Sequence, residues 1–127
     1  MPIRIVRLGT PRGANEGVRI GTVRRPPRGV PKSEFASQNW YDVWFPVLAP
    51  SAELMSDIHA ERVTWNTFTK RYFAEMKEPA AARTLDLLAA LSHGSNFAVG
   101  CYCEDESHCH RSLLRQLLSE RGARIDS

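Results

Sequence analysis

The sequence predicts a single α/β domain with a mostly parallel sheet flanked by helices. The chain has 127 residues, which is the size of one ordinary domain. Short apolar segments of strand length recur along it, and between them lie longer segments whose apolar residues repeat at helical spacing. Because strands separated by helices usually pair in parallel, this order favours a parallel sheet. We therefore interpret residues 1–127 as one compact domain.

The amino-terminal quarter predicts two strands, each followed by a loop. Ile3–Leu8 reads as the first strand, and Val18–Arg24 reads as the second, with valine and isoleucine as its apolar members. Residues 9–17 between them contain three glycines and a proline, which is typical of turns. Residues 24–32, RRPPRGVPK, contain three prolines, which fix φ and remove hydrogen-bond donors. We call residues 24–32 the arginine loop.

The middle of the chain predicts helices. The pattern from Ser33 to the aromatic residues near position 45 is weakly helical, and Ser51 is the expected N-cap of the first clear helix. A second helix is predicted over 64–77, and Pro79 suits the first turn of a third. The residues expected on the buried sides are Leu54, Met55, Ile58, Trp65, Phe68, Tyr72, Met76, Leu85, Leu88 and Ala89.

The carboxyl-terminal part predicts one more buried strand and one more helix. Asn96–Cys103 is nearly all apolar, as a buried parallel strand would be. An amphipathic helix follows the loop EDESHCH, and Gly122 is suited to end it. Its buried side is formed by Leu113, Leu114, Leu117 and Leu118. Arg124–Asp126 is interpreted as a short terminal strand.

The composition excludes several classes of protein. The apolar fraction of 43% and the charged fraction of 24% are ordinary for a globular domain. They exclude a disordered chain, a collagen-like fibre and a membrane span. The first eight residues are too short for a secretion signal and contain two arginines, so the cytoplasm is the expected compartment.

The positive charge is concentrated at the amino terminus. The net charge is only +3, but residues 1–32 contain eight basic residues and one acidic residue, whereas residues 33–127 contain nine and thirteen. Such a local excess of cations points to an anionic ligand or partner rather than to a general property of the chain.

The segment CYCEDESHCHRS, residues 101–112, is the densest group of chemically versatile side chains. It lies where a predicted strand ends and a helix begins, which is where ligands bind in parallel α/β sheets and where free N–H groups attract anions. Cys109 lies beside His108, His110 and Arg111, surroundings that favour a reactive thiolate. We therefore predict that Cys109 and His110 are the catalytic candidates and that Arg111 binds an anion.

The arginine loop supplies two further candidate ligands, Arg25 and Arg28. If the second strand runs parallel to Asn96–Cys103, both loops leave the same edge of the sheet. The two guanidinium groups then meet Arg111, and their planar forks suit a phosphate group. This reasoning predicts a pocket for a phosphate- or nucleotide-like anion, with no cofactor and no metal assigned. It names neither a substrate nor a reaction.

Two other classes of function are compatible with the sequence. The basic amino-terminal segment, with Trp40, Tyr41 and Trp44 just beyond it, could bind nucleic acid, although such aromatic residues more often belong to a core.

The second alternative is a thiol redox or metal-binding module formed by Cys101, Cys103 and Cys109. Their spacing differs from the usual C-x2-C pair of a structural zinc site, which disfavours a metal. A reversible disulfide between Cys103 and Cys109 is an equally weighted interpretation.

Several motifs together resemble a bacterial family known as domain of unknown function 488, in its YeaO-like branch. They are VRRPPRGVPK, LAPSAEL, a helical pattern of Trp, Phe, Tyr and Glu-Met, and CYCEDESHCHRSLL. The resemblance covers about residues 3 to 126. It implies a compact α/β cytoplasmic domain without a settled activity. The positions that it marks as signature residues are Arg25, Arg28, Cys109, His110 and Arg111.

The chain departs from that family pattern in the arginine loop. The family usually has an acidic residue before the first arginine and a tryptophan before Pro-Arg-Gly. This sequence has Arg24 and Pro26–Pro27 at those places. Any function that the acidic residue performs in the family is therefore missing from this chain.

Overall fold

The computed structural model describes residues 2–103 and 108–126. These residues form a five-stranded sheet in the order β3-β2-β4-β1-β5, and the strands pair in parallel throughout. The strands are β1 (Ile3–Arg7), β2 (Val18–Gly21), β3 (Val43–Trp44), β4 (Phe97–Cys101) and β5 (Ile125–Asp126). The helices are α1 (Ala52–His59), α2 (Trp65–Glu75), α3 (Pro79–Leu91) and α4 (His110–Glu120), with 3-10 turns at Lys32–Glu34 and Pro46–Leu48. The predicted α/β fold is confirmed.

The helices begin where the sequence predicts. The Ser51 hydroxyl accepts a hydrogen bond from the Leu54 backbone N–H at 3.1 Å and caps α1. Thr64 caps α2 in the same way, and α3 starts at Pro79. These side chains satisfy N–H groups that have no partner inside a helix.

The two faces of the sheet are covered differently. Side chains alternate along a strand, so the apolar residues of β1 and β4 divide between the faces. One face packs with α1, α2, α3 and α4 into the main core, whose strand members are Ile3, Ile5, Phe97 and Val99. The other face is covered by the connection between β2 and β3. Its buried cluster is Val6, Leu8, Val23, Tyr41, Ala98, Cys101 and Cys109, with Phe35, Trp40 and Tyr102 packed against it.

The weakly helical prediction for residues 33–45 is wrong. That region contains a 3-10 turn, a connection without regular structure and the edge strand β3. A strand of two residues is too short to show an alternating pattern, and it forms only by pairing with β2.

The second strand also differs from its prediction, because it ends at Gly21 and its most buried side chain is a charged one. Val18 is 49% exposed, whereas the Arg19 side chain is completely buried at 0%. A Cβ atom at Gly21 would lie 2.3 Å from the Tyr41 ring, so this glycine lets the covering segment approach the sheet closely.

No helix in the described part of the chain is both long enough and apolar enough to cross a membrane.

Candidate functional site at the carboxyl edge of the sheet

The arginine loop and the cysteine segment leave the same edge of the sheet. Strands β2 and β4 are parallel neighbours, and the Thr22 hydroxyl donates a 2.9 Å hydrogen bond to the Gly100 carbonyl just beyond their paired residues. Further out, the Tyr102 hydroxyl donates to the Arg25 carbonyl at 3.0 Å. The two segments are therefore in direct contact, which confirms the parallel arrangement on which the predicted pocket depends.

The three cysteines lie together at this edge. Cys101 ends β4 and Cys109 precedes α4, both are buried, and their sulfur atoms are in contact. Cys103 is exposed and free. All three sulfur atoms lie within 4.8 Å of one another. The structure does not show the alternative pairing of Cys103 with Cys109, because Cys103 lies beyond the end of β4 and it is Cys101 that faces Cys109.

His110 is buried between β2 and Cys109. Its Nε2 lies 2.8 Å from the Thr22 carbonyl oxygen, and its Nδ1 lies 3.9 Å from the Cys109 sulfur. Because a carbonyl can only accept, Nε2 carries the proton, and the unprotonated Nδ1 faces the Cys109 sulfur.

The buried position also determines the charge of His110. Burial lowers the pKa of His110 to about 4, the hydrogen bond with Thr22 opposes this shift, and the positive charge of Arg111 adds to it. The imidazole is therefore neutral near pH 7, and it does not supply the cation that the sequence suggested for activating the Cys109 thiol.

Arg111 is 4% exposed and lies in the first turn of α4. Its guanidinium donates a hydrogen bond to the Cys103 carbonyl, which holds the segment after β4 against the helix. Burial raises the pKa of the Cys103 thiol, although the charge of Arg111 partly opposes this rise. The Cys103 thiol is therefore mainly protonated at neutral pH.

The arginine loop contains two kinds of arginine. Arg24 donates hydrogen bonds to the carbonyls of Pro46, Ala49 and Pro50 at 3.0–3.3 Å, and so joins the loop to the turn before α1. Arg25 and Arg28 are exposed, and no described side chain or carbonyl holds their guanidinium groups. Whether these two groups meet Arg111 stays a prediction.

A buried ion pair that the sequence did not predict holds the connection between β2 and β3 on the sheet. The Arg19 guanidinium donates to both Glu16 carboxylate oxygens at 2.8 and 3.0 Å. It also donates to the carbonyls of Thr10 and Asn39 at 2.8 Å and of Pro11 at 3.4 Å. Glu16, the single acidic residue of the first 32, lies three positions before Arg19. That isolated pair is the signal that could have revealed it.

The carboxylates of this region stay ionised. Burial by itself would raise the pKa of Glu16, but hydrogen bonds from Arg19 and Gly13, with the charge of Arg19, outweigh burial and lower it. The pKa of Asp42 is lowered in the same way, against burial, by Arg12 and by the Arg19 backbone N–H. A third arginine, Arg4, pairs with Asp126 at 3.0 Å. Much of the amino-terminal charge is therefore neutralised inside the domain.

The aromatic residues near the basic segment are mainly part of the core. Tyr41 is buried against Gly21, and Trp40 packs edge-on against Tyr102 with ring centres 5.7 Å apart. Trp44 is the exception at 44% exposed, with its indole N–H donating to the Val23 carbonyl at 2.8 Å. This arrangement leaves Trp44 as the one exposed aromatic side chain of the three for nucleic-acid binding.

Two surface grooves in the described residues lie away from this edge. One runs between α2 and α4 beside Phe73, Met76 and Leu117, and the other lies near Pro2 and Asp126 at the opposite end of the strands. Neither is lined by the predicted site residues. The acidic residues Glu104, Asp105 and Glu106 of the segment CYCEDESHCHRS lie outside the described residues.

The fold and this edge define a small, parallel-stranded α/β domain with a Cys-His-Arg segment at the carboxyl ends of its strands. The chain belongs to the Active DUF488-N3 subclade, whose family model matches residues 3–122. This match confirms the family resemblance.

One curated relative is the Uncharacterized protein YeaO of Escherichia coli strain K12. It is 35% identical over 78 residues, which are 61% of this chain and 64% of the relative. The match therefore spans less than two thirds of the relative's length. No solved structure matches the chain.

Proposed function

We propose that the carboxyl edge of the sheet binds a phosphate-bearing anion, either inorganic phosphate or the phosphate group of a nucleotide. The observation that carries this proposal is the hydrogen bond between the Tyr102 hydroxyl and the Arg25 carbonyl, because it joins the arginine loop to the cysteine segment. In this proposal Arg25, Arg28 and Arg111 hold the anion, and Cys109 and His110 line its inner side.

The distribution of uncommitted positive charge supports this assignment. Arg12 and Arg19 are paired with carboxylates, and Arg24 is held by three carbonyls. Arg25 and Arg28 keep their guanidinium groups in solvent, with no counter-charge among the described residues. Planar guanidinium forks are well matched to phosphate oxygens, and they lose little on leaving water because they are weakly hydrated.

The start of α4 adds a second favourable electrostatic contribution. The helix has eleven residues, and Cys109 at its N-cap makes no side-chain capping bond. First-turn N–H groups carry partial positive charge, so an anion beside Arg111 would be stabilised by the helix as well as by the arginine.

For any reaction of the bound anion, we assign Cys109 and His110 as the reacting pair. In the reduced protein without a bound metal ion, the Nδ1 lone pair of His110, which faces the Cys109 sulfur at 3.9 Å, is the acceptor for the thiol proton. The description of the matching subclade contains the word "Active", which agrees with an enzymatic role, but it names no reaction.

Calorimetric titration with phosphate and with a nucleoside triphosphate tests the proposal. We expect Arg25→Ala combined with Arg28→Ala to raise the Kd at least about tenfold, since each lost charge-assisted hydrogen bond costs roughly 1.5–3 kcal/mol. Arg83→Ala, which removes an exposed arginine of α3, is the matched control. Equal affinities for the double variant and the control would exclude the arginine loop as the anion site.

The exposed face of Trp44 beside the arginine loop favours nucleic acid as a second candidate ligand. A single-stranded oligonucleotide would then bind more tightly than a mononucleotide, and its affinity would fall steeply with salt. Trp44→Ala should weaken oligonucleotide binding while leaving phosphate binding unchanged. A salt-insensitive affinity counts against this candidate.

A further inference from the structure

We propose that Cys101, Cys103, Cys109 and the Nδ1 atom of His110 form a four-coordinate site for a divalent transition metal ion of the zinc class. The site shares Cys109 and His110 with the proposed anion site, but its ligands are sulfur and imidazole rather than arginine, so cobalt titration and the arginine-loop variants test the two proposals separately. It also gives the clustered cysteines a common role that the anion proposal does not require.

The sulfur positions fit a tetrahedral metal centre. The three sulfur atoms lie within 4.8 Å of one another, although they come from positions 101, 103 and 109. A tetrahedral zinc ion with bonds of about 2.3 Å places its sulfur ligands roughly 3.8 Å apart. The Cys101 and Cys109 sulfurs, which are in contact, would move apart around an ion, and no pair of the three is more than 4.8 Å apart.

The fourth ligand in this proposal is the Nδ1 atom of His110. Nδ1 faces the Cys109 sulfur at 3.9 Å, while Nε2 donates its proton to the Thr22 carbonyl at 2.8 Å. In a tetrahedral site, sulfur and nitrogen ligands lie about 3.6 Å apart. Metal-bound histidines usually donate their second ring N–H to a carbonyl or carboxylate, which fixes the tautomer and the ring plane. The Thr22 carbonyl occupies that position here.

The backbone separation of Cys101 and Cys109 argues for a shared ion rather than a direct bond. Their Cα atoms are 8.0 Å apart, whereas disulfides usually join Cα atoms about 4.4–6.8 Å apart. A disulfide between them would require β4 and the start of α4 to approach each other. A metal ion bridges thiolates without that movement, because it adds two metal–sulfur bonds between the side chains.

The elements that carry the ligands are already in place. Cys101 is the last residue of β4, Cys109 is the N-cap of α4 and His110 is the first residue of that helix, so two ligands lie in regular structure and a third directly precedes it. Cys103 closes the site from the surface, and the Arg111 guanidinium holds its carbonyl. Three thiolates around a dication leave one net negative charge, which the adjacent Arg111 offsets.

Cobalt titration of the full chain tests the site without any substitution. Protein reduced and freed of metal by a chelator under anaerobic conditions should take up one Co²⁺ per chain. Thiolate-to-metal charge-transfer absorption and the visible bands of a tetrahedral ion should appear together, and Zn²⁺ should abolish both. If the reduced, folded protein gives no such bands at equimolar Co²⁺, the proposal is wrong. That conclusion holds even if a separate sample kept in air forms a disulfide between Cys101 and Cys109.

Substitution of His110 tests the fourth ligand. His110→Gln should lower Zn²⁺ affinity at least about tenfold and should shift the visible cobalt bands. Even the loss of a residue that only hydrogen-bonds to a ligand typically lowers metal affinity about 10–100-fold, so the loss of a ligand should cost at least as much. His59→Gln, which changes an exposed histidine at the end of α1, should leave both unchanged. Unaltered cobalt bands and affinity in folded His110→Gln would overturn the assignment of Nδ1. Cys103→Ser should reduce the charge-transfer intensity by about one third, and an unchanged intensity would remove Cys103 from the site.

Discussion

Arg19 and Arg25 lie on two sides of the end of β2, and their surroundings are opposite. Arg19 is completely buried, and five hydrogen bonds connect its guanidinium to Glu16 and three carbonyls. Arg25 is exposed, and only its backbone carbonyl is held, by Tyr102. The first side chain holds the loop after β1 and the segment before β3 on the sheet. The second leaves its charge available to a ligand.

The difference between these two arginines shows that charge counted along a sequence is not charge available to a partner. The seven-charge excess of residues 1–32 includes arginines that the fold has already paired. What remains for binding is concentrated in the arginine loop. We therefore expect burial to separate the arginines that stabilise the fold from the arginines that bind a ligand.

The largest effect is expected for Arg19→Ala. Removing this side chain leaves the buried Glu16 carboxylate without its cation, and breaking such a pair costs about 3–5 kcal/mol. Urea denaturation measures the free energy of unfolding. The matched control, Arg28→Ala, should change it by no more than about 0.5 kcal/mol, as expected for an exposed residue.

A double replacement separates the lost ion pair from the lost packing. Changing Glu16 to Gln and Arg19 to Met together should recover part of the stability lost in Arg19→Ala, since neither charge is then left buried alone. If Arg19→Ala and Arg28→Ala were equally stable, the distinction between the two arginines would be wrong.

Acid should destabilise the protein through the same buried network. The pKa of Glu16 is lowered in the fold, so its contribution to stability is complete above the ordinary glutamate pKa and is lost as pH falls through the folded value. Urea midpoints should therefore decrease from about pH 5 towards pH 3. Asp42 and Asp57, whose pKa values are also lowered, act in the same direction.

Glu16→Gln isolates the share of this acid effect that belongs to Glu16. The variant should be less stable than the natural protein at pH 7, and its stability should depend less steeply on pH between about 5 and 3. Glu120→Gln, at the exposed end of α4, should keep the original slope. A slope that Glu16→Gln leaves unchanged would mean that the acid effect comes from other carboxylates.

The smallest effect is expected for Arg12→Ala. Arg12 is bound to Asp42 at 2.8 Å, but the two side chains are 27% and 33% exposed, so water screens the pair. Its loss should cost about 0.5–1 kcal/mol, because Asp42 keeps its hydrogen bond from the Arg19 backbone N–H. Denaturation at low and high salt measures it. A cost equal to that of Arg19→Ala would show that burial is not what separates these arginines.

Much of the fold follows from local patterns in the sequence. The helices α1, α2, α3 and α4 repeat apolar residues at helical spacing, and their starts carry capping residues or proline. The buried strand β4 has a continuous apolar run. These signals are local, so they can be read before the chain folds. Strand β3 could not be predicted, because a two-residue edge strand exists only through its pairing with β2.

The candidate site was partly predictable for a similar reason. Parallel strands place their carboxyl ends at one edge, so the convergence of the arginine loop with the cysteine segment could be inferred. The contact between Cys101 and Cys109 could not, because it depends on how α4 returns to β4. The charge state of His110 also depends on that packing, since burial beside Thr22 lowers its pKa. The convergence of Arg25, Arg28 and Arg111 on one anion stays a prediction.

By itself, the sequence determined the class of the fold, the order of its main helices and strands, and the edge at which its chemistry is concentrated. These properties depend on periodicity, capping and strand direction, which neighbouring residues encode. Only the tertiary structure decided which arginines pair with buried partners and how the second face of the sheet is covered. It also decided which atoms His110 and the cysteines face. Those outcomes depend on contacts between distant residues, where burial and hydrogen bonding change the energy of a charge far more than its sequence neighbours do.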